Sequence, residues 1–163
     1  MDSNNIRYIH GDILTDNTDD KAVFICHQVN CKGVMGAGLA KQIRNKHPEV
    51  YNSYVARCNQ YKGNSKGLLG SIQLISFLGA NGYGIINIFG QDDFGRDPNR
   101  VYTNYDALRD AFNNIANSLG YATIRIPYKM GCGLGNGDWE TVLSLIQECI
   151  ADKKVNVEIW EKV

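Results

Sequence analysis

The sequence predicts a three-layer α/β/α sandwich around a central mixed sheet of about six strands. Short apolar runs rich in β-branched residues alternate with segments of helical periodicity, an order typical of α/β proteins. Residues 22–26 are continuously apolar, as in a central strand that is buried on both faces. Residues 71–77 and 84–89 flank a turn-prone segment of glycine and asparagine, which predicts an antiparallel hairpin and makes the sheet mixed.

Each element follows from its own local pattern. Alternating or continuous apolar character predicts strands at residues 6–10, 22–26, 71–77, 84–89, 122–126 and 155–160. Apolar residues that recur every three or four positions predict helices at residues 37–46, 48–61, 105–119 and 139–150. Thr103 and Asp106 have the spacing of a capping box before the third helix, and Asp138 stands where an N-cap would open the fourth.

Length and charge limit the class of protein. The chain of 163 residues suits a single domain, residues 1–163, and its hydrophobic content of 44% is enough for a core. Seventeen basic and seventeen acidic side chains cancel, so there is no electrostatic case for nucleic acid or an anionic membrane beyond a local patch. No apolar stretch approaches the roughly 20 residues of a membrane span, and residues 1–5 are polar, so we expect a soluble cytoplasmic protein without a membrane partner.

Cysteine and histidine usage gives no sign of a metal site or a disulfide framework. The five cysteines are dispersed without a Cys-x-x-Cys pair, and the three histidines do not cluster with them. We therefore expect no structural metal and no cofactor.

Two glycine-rich loops point to an anionic ligand. Glycine occupies alternate positions from Gly131 to Gly137, between a predicted strand and a predicted helix, where bare backbone amides favour phosphate. A second loop leaves the buried strand at His27 and enters a helix through Gly36 and Gly38. Taken alone, this second loop is equally well explained as an ordinary strand-to-helix turn. Together, the two loops suggest a diphosphate that is held from both sides.

Two polar residues suit the remaining parts of a nucleotide ligand. Asn30 offers both a donor and an acceptor, as a ribose diol requires. Asp12 directly follows the first strand and can accept a hydrogen bond from an exocyclic amine such as that of adenine, although it is also an ordinary turn residue. Ligands of such sheets gather beyond the carboxyl ends of the strands, where these loops are predicted to lie.

These motifs, in this order, resemble those of a macrodomain, the ADP-ribose-binding module. The resemblance runs nearly end to end and rests on Gly11-Asp12-Ile13, Asn30, Gly36-Ala37-Gly38 and Gly131-Cys132-Gly133-Leu134. The chain is most similar to the branch that contains the terminal ADP-ribose protein glycohydrolase, a chromatin-remodeller macrodomain and a fungal ADP-ribose 1″-phosphate phosphatase.

The resemblance implies a role for each matched position. Asp12 would bind the adenine amine with Ile13 beside the ring, and Asn30 would face the distal ribose. Trp160, in the last strand, would stack on adenine, although a tryptophan in a terminal strand is also a common core residue. Two loops would surround the distal ribose and the diphosphate, one formed by Met35, Gly36, Ala37 and Gly38 and the other by Gly131, Cys132, Gly133, Leu134 and Gly135.

The resemblance also reveals a departure at the catalytic positions. The related glycohydrolase uses a lysine after the middle strand and an aspartate directly after its Gly-Cys-Gly-Leu. This sequence has Gln91, or its neighbour Gly90, at the first position and Gly135 at the second. A covalent lysine intermediate needs an amine and a base that activates it, so we do not expect that mechanism here.

Other residues are candidates for chemistry. His27 stands where the fungal phosphatase has a histidine, and an imidazole of near-neutral pKa can transfer a proton; a buried structural histidine is an equally consistent interpretation. Gln91, Asp92 or Asp93 can orient a water molecule, with Phe94 as part of a lid, although a solvated loop explains the same residues.

Three functions remain open. The leading prediction is hydrolysis of a small ADP-ribose derivative, first ADP-ribose 1″-phosphate and then an O-acyl ester or an ADP-ribosyl adduct. The second is a non-catalytic reader of ADP-ribose or of an ADP-ribosylated partner. The third is removal or recognition of ADP-ribose on nucleic acid, against which the neutral charge of the chain counts.

Overall fold

The computed structural model describes residues 6–76, 79–150 and 153–163. Its elements in chain order are β1 (Ile6–His10), β2 (Val23–Val29), α1 (Gly38–Lys46), α2 (Pro48–Gln60), β3 (Ile72–Ile75), β4 (Gly84–Phe89), α3 (Tyr105–Ser118), β5 (Thr123–Pro127), α4 (Trp139–Cys149) and β6 (Asn156–Glu161). A short 3-10 helix, Ser65–Leu68, precedes β3. The strands described form one six-stranded sheet in the order β1-β6-β5-β2-β4-β3.

The directions of the strands confirm that the sheet is mixed. Neighbours from β1 to β4 in this order pair in parallel, whereas β3 pairs antiparallel with β4, with Ile72 opposite Ile88 and Ile75 opposite Ile85. The predicted hairpin is thus confirmed, and residue 77, where its first strand was predicted to end, lies outside the described residues. Because five strands run the same way, the loops that follow them meet at one edge of the sheet.

Helices cover both faces of the sheet, as predicted. Successive side chains of a strand point to opposite faces, and Ile25 and Cys26 of β2 accordingly belong to two different apolar cores. On one face α3 and α4 bury Phe112 and Ile146, and on the other α1 and α2 bury Ile43. Burying each such side chain stabilises the fold by roughly 1.5–3 kcal/mol. No helix among the described residues has the length and apolar character needed to cross a bilayer.

Strand β2 is longer than predicted. It continues to Val29, so His27 and Gln28 lie within the strand and not in the loop that follows it. Both residues pair with β4, His27 opposite Asn87 and Gln28 opposite Ile88. The prediction that His27 leaves the strand is therefore wrong, because tertiary partners satisfy polar side chains that the local pattern assigned to a loop.

The cap of α3 also differs from the prediction. Asn104 is the N-cap, and its Oδ1 accepts a hydrogen bond from Ala107 N at 2.9 Å. Thr103 instead donates from Oγ1 to the Gly131 carbonyl at 2.6 Å. The capping box is wrong because a distant loop takes the threonine hydroxyl. The predicted cap of α4 is confirmed, since Asp138 Oδ2 accepts from Thr141 N at 3.0 Å.

Replacing Asn104 by alanine should lower the free energy of unfolding by about 1 kcal/mol, because the amide of Ala107 loses its acceptor. Asp106→Ala is the matched control, since the Asp106 carboxylate is exposed and lies 3.5 Å from Arg109 in a surface ion pair that contributes a few tenths at most. Urea titration measures both losses. Equal losses of unfolding free energy in the two variants would support the capping box and contradict the role of Asn104 as the N-cap.

Candidate functional site

The loops after β2, β4 and β5 enclose a cleft of about 860 Å³ at the carboxyl edge of the sheet. The two glycine-rich loops share this cavity, as their predicted role requires. The predicted site residues that line it are His27, Asn30, Gly36, Ala37, Gly38, Gln91, Gly131, Gly133, Leu134 and Gly135.

Six predicted site residues do not line this cleft: Asp12, Ile13, Met35, Asp92, Cys132 and Trp160. Ile13 and Met35 are buried in the core beneath α1 and α2, and Cys132 packs against the core beneath α3 and α4. These three side chains hold their loops by packing. Asp12 and Trp160 lie at the other end of the sheet edge, after β1 and in β6.

Asp92 lines a second cavity, of about 490 Å³, instead of the cleft. Its Oδ1 accepts a hydrogen bond from Ser65 Oγ at 2.7 Å and lies 3.5 Å from Lys32 Nζ. The carbonyl of Asp92 accepts from Cys31 N at 2.9 Å. These contacts tie the β4 loop to the β2 loop and engage the carboxylate away from the cleft.

The loop after β1 is fixed by Arg125 of β5. Nη1 of this buried arginine donates to the carbonyls of Ile13 at 2.9 Å and Thr15 at 2.6 Å, and its guanidinium lies 4.7 Å from the ring centroid of Trp160. Asp12 Oδ1 accepts from Leu14 N at 2.9 Å in the ordinary turn arrangement. The exposed Asp12 carboxylate therefore keeps its second oxygen for a ligand.

His27 lines the cleft as a neutral imidazole. It is 2% exposed, and its Nε2 lies 2.6 Å from Asn87 Oδ1. Asn87 Nδ2 donates to Gln73 Oε1 at 3.0 Å, and Gln73 Nε2 donates to the Ser53 carbonyl at 3.1 Å. Because that last acceptor is a backbone carbonyl, the direction of the chain is fixed and Nε2 of His27 carries the proton.

The other nitrogen of His27 is consequently a bare acceptor. Nδ1 is buried and has no hydrogen-bond partner within the described part of the chain. Burial lowers the pKa of His27 to about 4, against the opposing effect of its hydrogen bond to Asn87. At neutral pH His27 thus carries one buried imidazole nitrogen with an unused lone pair.

Asn30 uses most of its amide within its own loop. Its Oδ1 accepts from Tyr54 Oη at 2.8 Å and Lys32 N at 2.9 Å, and its Nδ2 donates to the Val34 carbonyl at 2.8 Å. One N–H remains for a ligand. The donor-and-acceptor pairing that the sequence suggested for a diol is thereby reduced to a single donor.

A chain of hydrogen bonds joins the loops around the cleft. Gln28 Nε2 donates to Gln91 Oε1 at 2.8 Å and to Thr103 Oγ1 at 2.9 Å, and Thr103 donates onward to Gly131. Gln91 Nε2 donates to the Asp93 carbonyl at 2.8 Å. Gln91 therefore uses one acceptor site and one N–H in hydrogen bonds that hold the loops together. Sequence reasoning missed this role of Gln28 and Thr103, because the two residues are far apart in the sequence and only the fold brings them together.

No side chain fits at position 135. A Cβ there would lie 2.5 Å from Thr103 Oγ1 and 2.6 Å from the Gly131 carbonyl oxygen. The Gly135 carbonyl accepts from the amides of Tyr102 at 2.9 Å and Thr103 at 3.1 Å, which holds the backbone in place. A Cβ on Gly133 would meet nothing within 4 Å. An aspartate at position 135 would meet the same two oxygen atoms.

The electrostatics of the cleft favour an anion. Arg96 and Lys129 line it, and no carboxylate of the described residues does. Helix α1 begins at the cleft with Ala37 as an N-cap that makes no side-chain hydrogen bond, and its first turn has no acidic residue. The amides of residues 133–135 have no backbone partner among the described residues. Sequence reasoning did not single out Arg96 and Lys129, because their importance depends on which other charges share the cavity.

No group of three His, Cys, Asp or Glu side chains within residues 6–76, 79–150 and 153–163 is arranged to hold a metal ion.

Gly135→Ala should destabilise the fold by about 1–3 kcal/mol, because the added methyl group overlaps a hydroxyl and a carbonyl oxygen that cannot both move. Gly133→Ala is the matched control two residues away and should change stability by less than about 0.5 kcal/mol. Denaturant titration compares the two variants. A Gly135→Ala protein as stable as Gly133→Ala would contradict the steric account of this loop.

Acid should destabilise the protein through His27. Between its unfolded pKa of 6.5 and its folded pKa of about 4, the unfolded chain binds a proton at this residue and the folded protein does not. Stability is therefore lost as the pH falls through this range, by up to about 3 kcal/mol for His27 itself. His27→Gln preserves a donor for Asn87 and does not titrate, so its acid-induced loss should be smaller by that amount. Parallel stability curves of the two proteins from pH 7 to pH 4 would exclude this role.

Comparison with known proteins places the chain in a family. A family model described as Macro domain matches residues 26–146. The chain is 28% identical over 164 residues to the ADP-ribose 1″-phosphate phosphatase of Meyerozyma guilliermondii, covering 88% of this chain and 93% of that protein. It is 28% identical over 137 residues to the DNA ADP-ribosyl glycohydrolase of Mycobacterium tuberculosis, covering 84% of this chain but 36% of that protein. The solved macrodomain of Mycobacterium tuberculosis DarG superposes with a TM-score of 0.71 at 28% identity, covering 95% of this chain and 96% of that one. The chain belongs to the macrodomain family.

Proposed function

We propose that the chain binds ADP-ribose and hydrolyses a small derivative of it, with ADP-ribose 1″-phosphate as the first candidate substrate. The observation that carries this proposal is the shared cleft of two glycine-rich loops, which contains two cations, no carboxylate and the uncapped start of α1. The relatives named as a phosphatase and as a glycohydrolase support hydrolysis of ADP-ribose derivatives. The finer choice of the 1″-phosphate rests on the phosphatase, because the alignment spans almost all of that relative.

The order of the strands supports one orientation of the ligand. In this proposal Asp12, after β1, accepts from the adenine amine, and Trp160 of β6 lies against the same base. The diphosphate lies between the β2 loop with α1 and the β5 loop, whose free amides donate to its oxygens. The distal ribose then reaches the end of β4, beside His27 and Gln91.

Hydrolysis of the 1″-phosphate needs a water molecule and a proton acceptor. Water attacks the phosphorus atom, the bond from phosphorus to the ribose oxygen breaks, and ADP-ribose and inorganic phosphate are released. In this proposal ligand binding opens a path to the buried Nδ1 of His27, which takes the proton of the attacking water and returns it to the departing ribose oxygen, while the loop amides stabilise the charge that develops on the phosphoryl oxygens. A bound phosphate raises the pKa of His27 and so strengthens it as a base. Gln91 orients the water with its remaining N–H.

Asp92 acts indirectly in this proposal. Its ion pair with Lys32 and its hydrogen bond from Ser65 hold the β4 loop, which presents Gln91 to the cleft. The carboxylate therefore has a structural contribution and does not touch the substrate.

A non-catalytic reader of ADP-ribose is the second candidate. The exclusion of a side chain at Gly135 and the absence of a carboxylate from the described lining favour it, because both remove groups that acid–base chemistry commonly uses. The reader and the hydrolase share the same binding mode and differ in turnover alone.

Binding of ADP-ribose should depend on the second oxygen of Asp12. In Asp12→Asn one amide atom still accepts from Leu14 N, but the other becomes a donor that opposes the adenine amine. We expect affinity for ADP-ribose to fall tenfold or more by isothermal titration calorimetry. Asp16→Asn, in the same loop, is the control and should bind as wild type does. Wild-type protein that ignores millimolar ADP-ribose would overturn the binding proposal.

Release of inorganic phosphate from ADP-ribose 1″-phosphate then separates the two functions. The proposed hydrolase releases phosphate, and His27→Gln slows this release without an equal loss of ADP-ribose affinity. Binding of ADP-ribose without turnover of this substrate, of O-acetyl-ADP-ribose or of ADP-ribosylated protein or DNA would support the non-catalytic reader instead.

A further inference from the structure

We propose that Arg96 binds the terminal phosphate of ADP-ribose 1″-phosphate and thereby makes the cleft selective for a charged distal group over a hydroxyl or an acyl ester. This inference rests on the proposed function, because it takes ADP-ribose as the body of the ligand. It adds a specificity-determining residue at the distal end of the cleft.

The first support is the charge left unpaired in the cleft. Arg96 and Lys129 are its two cations, and neither forms an ion pair within the described part of the chain. The neighbouring Arg100 behaves differently, since its Nη1 lies 3.4 Å from Asp93 Oδ2 and its guanidinium stacks 4.6 Å from the Tyr102 ring centroid. Of these two arginines in the β4 loop, Arg96 is the one that lines the cleft and forms no ion pair among the described residues.

The second support is the order of the strands. Arg96 belongs to the loop after β4, and Asp12 to the loop after β1. Four strand spacings separate β1 from β4, on the order of 19 Å at about 4.8 Å each. Lys129 belongs to the loop after β5, between these ends, where the diphosphate is placed. A ligand with its adenine at Asp12 extends across the sheet edge toward the loop after β4, so in this proposal its far end, and not its diphosphate, meets Arg96.

The third support is the way in which the backbone around Arg96 is held. A Cβ on Gly95 would overlap the hydroxyl of Tyr102, so the loop passes directly against that ring. On the other side of Arg96, Asp97 N donates to Tyr102 Oη at 3.4 Å, and the Asp97 carbonyl accepts from Asn136 Nδ2 at 3.0 Å. Arg96 is thus presented from a fixed backbone that is bonded to the phosphate-binding loop, which lowers the entropy lost when its side chain binds a ligand.

The chemistry of arginine suits this task. A guanidinium donates two parallel hydrogen bonds to a phosphate, and such charge-assisted pairs are about twice as strong as neutral ones. The corresponding group of plain ADP-ribose is a hydroxyl, and that of an acyl ester is uncharged. Arg96 therefore discriminates between substrates at the atom where they differ.

Calorimetry with two ligands tests this inference. One is ADP-ribose, and the other is its 1″-methylenephosphonate analogue, in which a carbon atom replaces the bridging oxygen and blocks hydrolysis. Wild-type protein should bind the phosphonate about 10- to 100-fold more tightly than ADP-ribose. Arg96→Gln should abolish this preference and change the affinity for ADP-ribose by less than about threefold. Arg100→Gln, from the same loop, should keep the preference.

Two results would overturn the inference and leave the proposed function intact. One is an equal loss of affinity for both ligands in Arg96→Gln, which would place Arg96 at the diphosphate. The other is wild-type protein that binds ADP-ribose but has no preference for the phosphonate. If wild-type protein binds neither ligand, the proposed function fails together with the inference. Because Arg96 is exposed, the variant should unfold at the same temperature as wild type, which separates lost recognition from lost folding.

Discussion

The carbonyl oxygen of Gly131 joins the loops that form the cleft. It accepts hydrogen bonds from Thr103 Oγ1 at 2.6 Å and from Gly137 N at 2.8 Å, and Thr103 in turn accepts from Gln28 of β2. The loop after β5 therefore closes on itself and is bonded to the start of α3 and to the central strand. The amide of Leu134 shares a peptide plane with the Gly133 carbonyl, which accepts from Asn136 N at 3.0 Å, so the direction of this free amide is fixed. Amides that are fixed before a ligand arrives need no reorganisation to bind an anion.

The same packing restricts the chemistry that the cleft supports. The hydroxyl and carbonyl that fix the loop occupy the space of a side chain at Gly135, so this position offers backbone groups to the cleft and no carboxylate. Backbone amides stabilise an anion but cannot accept a proton. Burial lowers the pKa of His27, the histidine among the described lining residues, to about 4 and keeps it unprotonated at neutral pH. The proposed function therefore places recognition in the loops and proton transfer in the strand beneath them.

More of the fold than of the site can be predicted from the sequence, because the contacts that form the site join residues from distant segments. Strands and helices follow from periodic burial, which is local, and their types and order agree with the structure. The cap of α3 does not follow, because Thr103 and Asn104 are both suitable caps and a contact with Gly131 decides between them. The glycine-rich loops were recognisable from their composition. The engagement of Asp92 with Lys32 and Ser65 was not, because those partners come from other loops.

The net charge of the chain and the local charge of the cleft favour different classes of anionic ligand. The formal charge of zero reflects equal numbers of basic and acidic side chains, and some surface cations have acidic partners, such as Arg7 with Glu158 and Arg109 with Glu148. A polyanion is recognised through many phosphate contacts that draw on such surface cations, and pairing removes them from that use. The cleft instead combines two unpaired cations, the start of α1 and a row of amides within one cavity. This arrangement neutralises several charges at close range and exerts little attraction at a distance, which suits a small ligand of high charge better than a long one.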